Sequence, residues 1–362
     1  MGVRRVGKTV LARSLPGFEY LDCELPRVRR LLDDPEGFLR SLGRRAALVL
    51  DEVHRLQDPA GILKIAADHF PHVRVLATGS STLGASARFR DTLAGRKAEV
   101  WLTPMCHADL GVFGNTDLSH RSFHGGLPGF FLARRVPEAD FQEWMDAFWA
   151  KDVLELFHLE RRASFQRFAE LTFVQSGGIF EATRFARPCE VSRQTITNYL
   201  SVLDATFVAH VVPPFSGRTT AEIVSAPRVY AFDTGFVCQH RGWRGLRRED
   251  LGGLLEHLVL NELHALLGSR RSIRYWRSKA GPEVDFVLES PGRTIAIECK
   301  WSAASFEPGG VQSFRRRHPG RLNVVVAADV ERPFEQRYGT MRVRFLGLGD
   351  LAGLLTRRTS GV

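Results

Sequence analysis

Three groups of polar residues stand at spacings that could do chemistry. In Gly2-Val3-Arg4-Arg5-Val6-Gly7-Lys8-Thr9, two glycines bracket four residues and are followed by a lysine and a hydroxyl. Glycines so placed let backbone N–H groups close on phosphate oxygens, the lysine reaches the terminal phosphates, and the hydroxyl ligates Mg²⁺. The second group, Asp51 and Glu52, ends the apolar run Ala46-Ala47-Leu48-Val49-Leu50, which reads as a buried parallel strand. Asp51 would then hold the Mg²⁺, and Glu52 would orient or deprotonate an attacking water. The third group, Asp285, Glu298 and Lys300, lies far along the chain.

The elements that must position the first two groups follow from the pattern around them. Val73 to Ser81 reads as another short strand that stops in small hydroxyl residues. Ligands gather at the carboxyl ends of strands in open α/β sheets, so Ser80 is the expected sensor of a terminal phosphate, with Ser81 next. Leu93-Ala94-Gly95-Arg96 closes a polar, helical stretch before the strand-like Glu99 to Leu102. At a subunit edge Arg96 would act as an arginine finger, a role worth about 10³–10⁵ in rate, and that role requires a homo-oligomer. The plainer readings are a glycine-rich turn around Lys8, a helix cap at Ser80 and a surface charge at Arg96. In folds with such a loop a buried strand leads straight into the glycines, whereas Gly2 follows only Met1. The expectation is a start upstream, with Met1 an internal residue, because a missing central strand would leave backbone groups unpaired.

The third group sits on alternating segments. Glu283 to Leu288 and Thr294 to Lys300 read as two strands joined by Ser290-Pro291-Gly292-Arg293. Glu298 and Lys300 share one face, and Ile295, Ile297 and Cys299 the other. A tight hairpin with Pro291 and Gly292 at its tip sets Asp285 opposite Glu298 and Glu283 opposite Lys300, with Cβ atoms about 4.5–5.5 Å apart. Carboxylates that close call for a cation, and an oxygen-lined Mg²⁺ or Mn²⁺ site meets the need. Lys300 would steady the attacking water or a scissile phosphate. A slip of one residue would send the acids to opposite faces. The helix Leu251 to Leu267, ahead of these strands, carries Glu256 and Glu262.

The middle of the chain reads as helix-turn-helix. A polar break at Arg187-Pro188-Cys189-Glu190 precedes a helix capped by Ser192, whose apolar stripe is Val191, Ile196, Tyr199, Leu200 and Leu203. Arg193, Gln194, Thr195 and Asn198 are left to face a DNA groove, with Phe207 to Val212 as the wing. Packing between domains is the equally weighted alternative.

Composition bounds the rest. The 362 residues are 44% apolar and 25% charged, which implies several cores in one multidomain chain. A net charge of +10 favours polyanionic partners. The five cysteines form no CxxC pair, so neither a disulfide framework nor a zinc site is expected. No apolar run nears the roughly 20 residues of a membrane helix, and no signal pattern opens the chain, so a cytoplasmic location is expected.

The order GVRRVGKT, LVLDE, LATGSS and LAGR, followed by Leu102-Thr103-Pro104-Met105, resembles the prokaryotic AAA-type ATPases that carry a C-terminal domain of unknown function. His124 to Gly129 resembles that family's GG-x-P segment, and Phe148 to Val153 its aromatic, acid-ended helix. The acids and lysine near the C-terminus, D–x(12)–E–x–K, resemble the PD-(D/E)XK nucleases, with Val284-Asp285 in place of Pro-Asp and Glu256 as the fourth acid that this resemblance implies. Tyr275 to Ser278, beside Gly281 to Glu283, is similar to the same family's tail.

The resemblances imply an α/β protein. A doubly wound parallel P-loop sheet would fill residues 1–110, lacking its first strand. A helical lid would follow at 111–160, a winged-helix-like segment at 161–215, a linker at 216–250 and a restriction-endonuclease-like domain at 251–362. ATP and Mg²⁺ are the implied ligands, and DNA the implied partner. The implied function is ATP binding with slow hydrolysis, carried by Lys8, Thr9, Asp51 and Glu52 and coupled to the nuclease-like domain. Two readings of that domain stay open: an ATP-gated, Mg²⁺-dependent nuclease, or an inactive nuclease fold that lets the chain act as an ATP-driven switch or scaffold.

Overall fold

The computed structural model describes residues 1–43, 46–79, 92–135, 138–157, 161–215, 226–268, 273–279, 281–290 and 293–356. They form two compact units. The first comprises 1–102, 142–160 and 205–208, and the second takes 103–141, 161–204 and 209–362. Among the described residues no helix is long and apolar enough to cross a membrane.

The first unit is built on three parallel strands in the order β1 (Glu19–Asp22), β2 (Ala47–Asp51) and β3 (Arg74–Ala77). Tyr20 pairs with Val49, and Val49 with Leu76. Every residue of β2 is buried, as a continuous apolar run requires when both faces are covered. Leu48, Leu50 and Val53 pack with Val28, Leu39, Ala60 and Ile62 from the surrounding helices. Two of those helices, Pro35–Ser41 and Pro59–His69, start on an aspartate and a proline. Asp34 accepts from Gly37 N at 3.0 Å and Asp58 from Gly61 N at 3.1 Å, which satisfies orphan N–H groups where proline's missing donor costs nothing. The Met1 amino group donates to Val100 O at 2.6 Å, and Leu102 N donates to Met1 O at 2.7 Å. β3 ends the three-stranded sheet, and beside it lies a cavity of about 640 Å³ lined in part by Val75, Ala77, Val100 and Leu102.

The second unit holds three helices in the stretch read from sequence as helix-turn-helix. Arg162–Val174, Ala182–Ala186 and Arg193–Ala205 bury Phe168 against Phe185 and Tyr199. Ser192 Oγ accepts from Thr195 N at 3.1 Å, the expected cap. Ile196, Tyr199, Leu200 and Leu203 are buried, and Arg193, Gln194 and Asn198 are exposed. β4 (Ala209–Val212), two residues shorter than the strand read from sequence, pairs antiparallel with β5 (Arg228–Ala231). That strand and the helix Thr234–His240 lie within 216–250, so the described part of the stretch read as a linker is ordered structure; residues 216–225 lie outside the described residues.

The second unit also contains the short helices His107–Leu110, Leu118–His124 and Pro128–Phe131 and a six-stranded mixed sheet. The strands of that sheet are β6 (Ile273–Arg277), β7 (Glu283–Ser290), β8 (Arg293–Lys300), β9 (Leu322–Ala327), β10 (Phe334–Tyr338) and β11 (Met341–Leu346), in the order β10-β11-β9-β8-β7-β6. The helix Arg248–Leu267 packs Leu255, Leu258, Val259 and Leu263 against Phe286, Leu288, Ile295, Ile297 and Cys299. The other face meets the helix Gly309–Arg317 through Val287, Ala296, Val311 and Phe314. The long helix begins three residues before the expected Leu251. Asp250 accepts from Arg247 N at 3.1 Å and pairs with the Arg247 guanidinium at 3.0 Å, so an acid in the first turn closes the start where no Ser or Thr stands.

Candidate functional site

In the first unit the glycine loop turns into the helix Lys8–Ser14 at Gly7, whose φ is 102°. That left-handed conformation favours glycine. A Cβ built at Gly7 would meet nothing within 4 Å, so the backbone there is open to an approaching ligand. Gly2 is small for a different reason. A Cβ on it would lie 2.3 Å from Leu102 O.

Lys8 is half-buried, and its Nζ donates to Gly2 O at 2.9 Å and to Val3 O at 2.8 Å. Burial lowers its pKa, and the nearby Glu52, Asp152 and Asp51 oppose that shift. Thr9 follows as the second residue of the helix. Asp51, 2% exposed, ends β2. One of its oxygens accepts from Tyr20 OH at 2.5 Å and the other from Thr78 Oγ1. Burial and the Asp51 hydrogen bond push the Tyr20 phenol up to about 12, so it remains a donor. Glu52 takes a left-handed φ of 54°, which costs a non-glycine residue on the order of 1 kcal/mol. Its Oε2 lies 3.2 Å from His54 Nδ1. That hydrogen bond, with the fields of His54 and Lys8, holds the Glu52 carboxyl below its usual range against burial.

The open backbone at Gly7 and a half-buried lysine whose hydrogen-bond acceptors are loop carbonyls fit a magnesium nucleotide. Gly2, Gly7 and Lys8 would hold its phosphates, Thr9 and Asp51 its metal. Bound Mg²⁺ would supply neutralisation of charge on the terminal phosphates. Ser80, with Ser81, lies outside the described residues. Arg96 is held within its own unit, its Nε donating to Asp68 Oδ1 at 2.6 Å.

The loop has an anchor that the sequence reading did not assign. Arg4 Nε pairs with Asp152 Oδ2 at 2.9 Å, Trp144 Nε1 donates to Arg4 O at 3.1 Å, and Arg5 pairs with Glu143. Asp152 comes from the π-helical turn Trp149–Val153 and is 4% exposed. Burial raises its pKa, and Arg4 opposes the shift. Asp152→Ala removes the partner that fixes Arg4, and a buried charge-assisted hydrogen bond is worth about 1.5–3 kcal/mol. The expected result is a roughly tenfold rise in the Kd for ATP, measured by calorimetry. An unchanged Kd would remove Asp152 from the loop's support.

In the second unit the hairpin of β7 and β8 pairs Ser290 with Arg293, Glu289 with Thr294 and Phe286 with Ile297. This is the register expected of a tip at Pro291 and Gly292, which themselves lie outside the described residues. The ladder ends one step short of Asp285 and Glu298. Asp285 instead bends to accept from Cys299 N at 2.8 Å. Lys300 Nζ lies 3.1 Å from Glu298 Oε2, and Glu256 reaches the group from the long helix, accepting from Tyr230 OH at 2.8 Å.

Arg228 of β5, unassigned from sequence, enters the same cluster. Its guanidinium lies 2.7 Å from Glu283 Oε2, 3.6 Å from Glu256 Oε2 and 3.7 Å from Asp285 Oδ1. Burial, then the charge of Asp285, push the Glu256 and Glu298 carboxyls up to about 8. Asp285 is raised too, by burial, against Lys300 and the Cys299 N–H. Lys300 rises because Asp285 and Glu298 outweigh its burial. Glu256, Asp285, Glu298 and Lys300 are thus brought together. Among the described residues, however, no group of three or more His, Cys, Asp or Glu is arranged to hold a metal ion.

Comparison with known families divides the chain in three. Residues 115–247 match a domain of unknown function (DUF8612), and residues 251–345 another (DUF4143). A search of curated proteins found no match. Residues 1–110 match the AAA domain family, and with the phosphate loop, the buried aspartate and the three parallel strands this supports an AAA-type, ATP-binding protein, of a family that usually binds ATP with Mg²⁺.

Proposed function

We propose that this protein binds ATP, hydrolyses it slowly and uses the nucleotide state to drive a nuclease-type C-terminal domain that faces nucleic acid. One observation carries the reading of the motor: the half-buried Lys8 ammonium and the carboxyl-edge Asp51 lie in one unit beside the open backbone of Gly7. Lys8 would neutralise the terminal phosphates, Thr9 and Asp51 would hold Mg²⁺, and Glu52 would order the attacking water. A finger role for Arg96 would require an oligomer and release from Asp68. The exposed Arg193, Gln194 and Asn198 and the net charge of +10 support a nucleic-acid partner for the winged-helix-like segment. The test is ATP turnover with and without duplex DNA, together with gel mobility. Arg193→Ala is expected to weaken duplex binding severalfold and to lower the salt slope by about one phosphate contact. Equal shifts for both proteins would assign that helix to packing.

A second reading takes the C-terminal domain as a binding surface that does not cut, making the chain an ATP-driven switch or scaffold. The observation that favours it is the arginine inside the carboxylate cluster.

A further inference from the structure

The cluster of Glu256, Glu283, Asp285 and Glu298 gathers four carboxyl groups, Asp285 and Glu298 buried, Glu256 half-buried and Glu283 41% exposed at its side chain, and such groups repel unless cations lie among them. Three cations of the chain itself do, the half-exposed Arg277 reaching Glu283 at 3.9 Å. Lys300 takes Glu298 at 3.1 Å. Arg228 takes the other three, at 2.7, 3.6 and 3.7 Å. The guanidinium cannot drift away easily. It is 7% exposed, it lies 5.2 Å from the centroid of the Tyr275 ring, its Nη1 donates to Tyr230 OH at 3.4 Å, and its strand is paired with β4 along four residues. Nor can it be neutralised, since an arginine does not lose its proton in a protein.

We infer that Arg228 is the resident cation of this centre, seated among Glu256, Glu283 and Asp285 so that Mg²⁺ and Mn²⁺ are excluded. A divalent ion entering the cluster would meet a fixed positive charge within a few ångströms in a site shielded from water, and its carboxylate ligands are already turned toward the guanidinium. Glu298 cannot substitute for them alone, because Lys300 occupies one of its oxygens and the other faces Gly310, whose added Cβ would lie 3.4 Å from Oε1. The second unit would therefore hold the geometry of a nuclease centre without its metal. This inference rests on the nuclease-type reading of the centre.

The test is Mn²⁺ binding to the full chain without nucleotide, followed by electron paramagnetic resonance and calorimetry, with Asp285→Asn marking which binding belongs to this centre. The parent protein is expected to show no Asp285-dependent Mn²⁺. Arg228→Gln is expected to gain it, with affinity up roughly tenfold or more, and Arg228→Lys, which keeps the charge, is expected not to. An Arg228→Gln chain that loses its fold should regain it with Mn²⁺, and one that stays unfolded in Mn²⁺ counts against the inference. Asp285-dependent Mn²⁺ in the parent would overturn the role of Arg228 and leave the nuclease-type reading standing. A folded Arg228→Gln chain that ignores Mn²⁺ would remove both.

Discussion

Lys8→Ala should weaken ATP binding by roughly 100-fold and bring turnover below detection, because hydrogen bonds from a charged donor are worth about 1.5–3 kcal/mol each and this half-buried ammonium can give more than one. In the ligand-free protein its protons go to Gly2 O and Val3 O, so phosphate oxygens would replace neutral carbonyls as acceptors. That exchange brings a full negative charge to a cation whose burial otherwise disfavours charge. Lys8→Met keeps the apolar stem and loses the donor, so it should behave like alanine in binding. Calorimetry with ATP measures the effect, and circular dichroism of the same samples should give spectra like the parent's, since the loop stays anchored through Arg4 and Asp152. A Lys8→Ala protein that binds ATP as the parent does would end the assignment of the loop to phosphate.

Much of this loop was legible in the sequence because its parts are contiguous. Gly2, Gly7, Lys8 and Thr9 lie within eight residues, and Asp51 ends an unbroken apolar run that only a doubly covered strand accommodates. The β7–β8 register was legible for a similar reason. A two-residue tip and a side-chain period of two leave little freedom, and the observed pairs run from Ser290 and Arg293 to Phe286 and Ile297. Asp152 and Arg228 were not legible as partners. They stand 148 residues from Arg4 and 55 from Glu283, and no periodicity reports a contact at such separations. The start of the long helix was misplaced because its cap is an Arg247–Asp250 pair rather than a Ser or Thr. Arg96, for which the sequence leaves a finger role and a surface charge open, pairs with Asp68 on a helix 28 residues earlier, a partner no local pattern reports.

The carboxylate centre makes stability depend on pH in a direction opposite to that of ordinary paired acids. Glu256 and Glu298 have folded pKa values of about 8 against 4.5 for an unperturbed glutamate. Between those limits the fold binds protons that the unfolded chain has released, so stability falls as pH rises through that window and levels off above about 8. Each pKa unit is worth 1.36 kcal/mol, so even with partial access of water the expected loss is on the order of a few kcal/mol, or several degrees in Tm. His257, next to Glu256 in the helix, acts the other way. Burial lowers its pKa to about 4 from an ordinary 6.5, so it withdraws stability as pH falls below 6.5. The interval from about 6.5 to 8 therefore leaves His257 out. Glu298→Gln and Glu256→Gln each remove one titrating group while keeping a polar side chain of nearly the same shape. Each is expected to reduce the fall in Tm over that interval, since it removes one of the carboxyls that titrate together in the centre. Comparison with the parent cancels the other groups that titrate there, the Met1 amine included. If the variants keep the parent's full slope, Glu256 and Glu298 are ionised in the fold, and the cations of the centre balance its charge without help from protons.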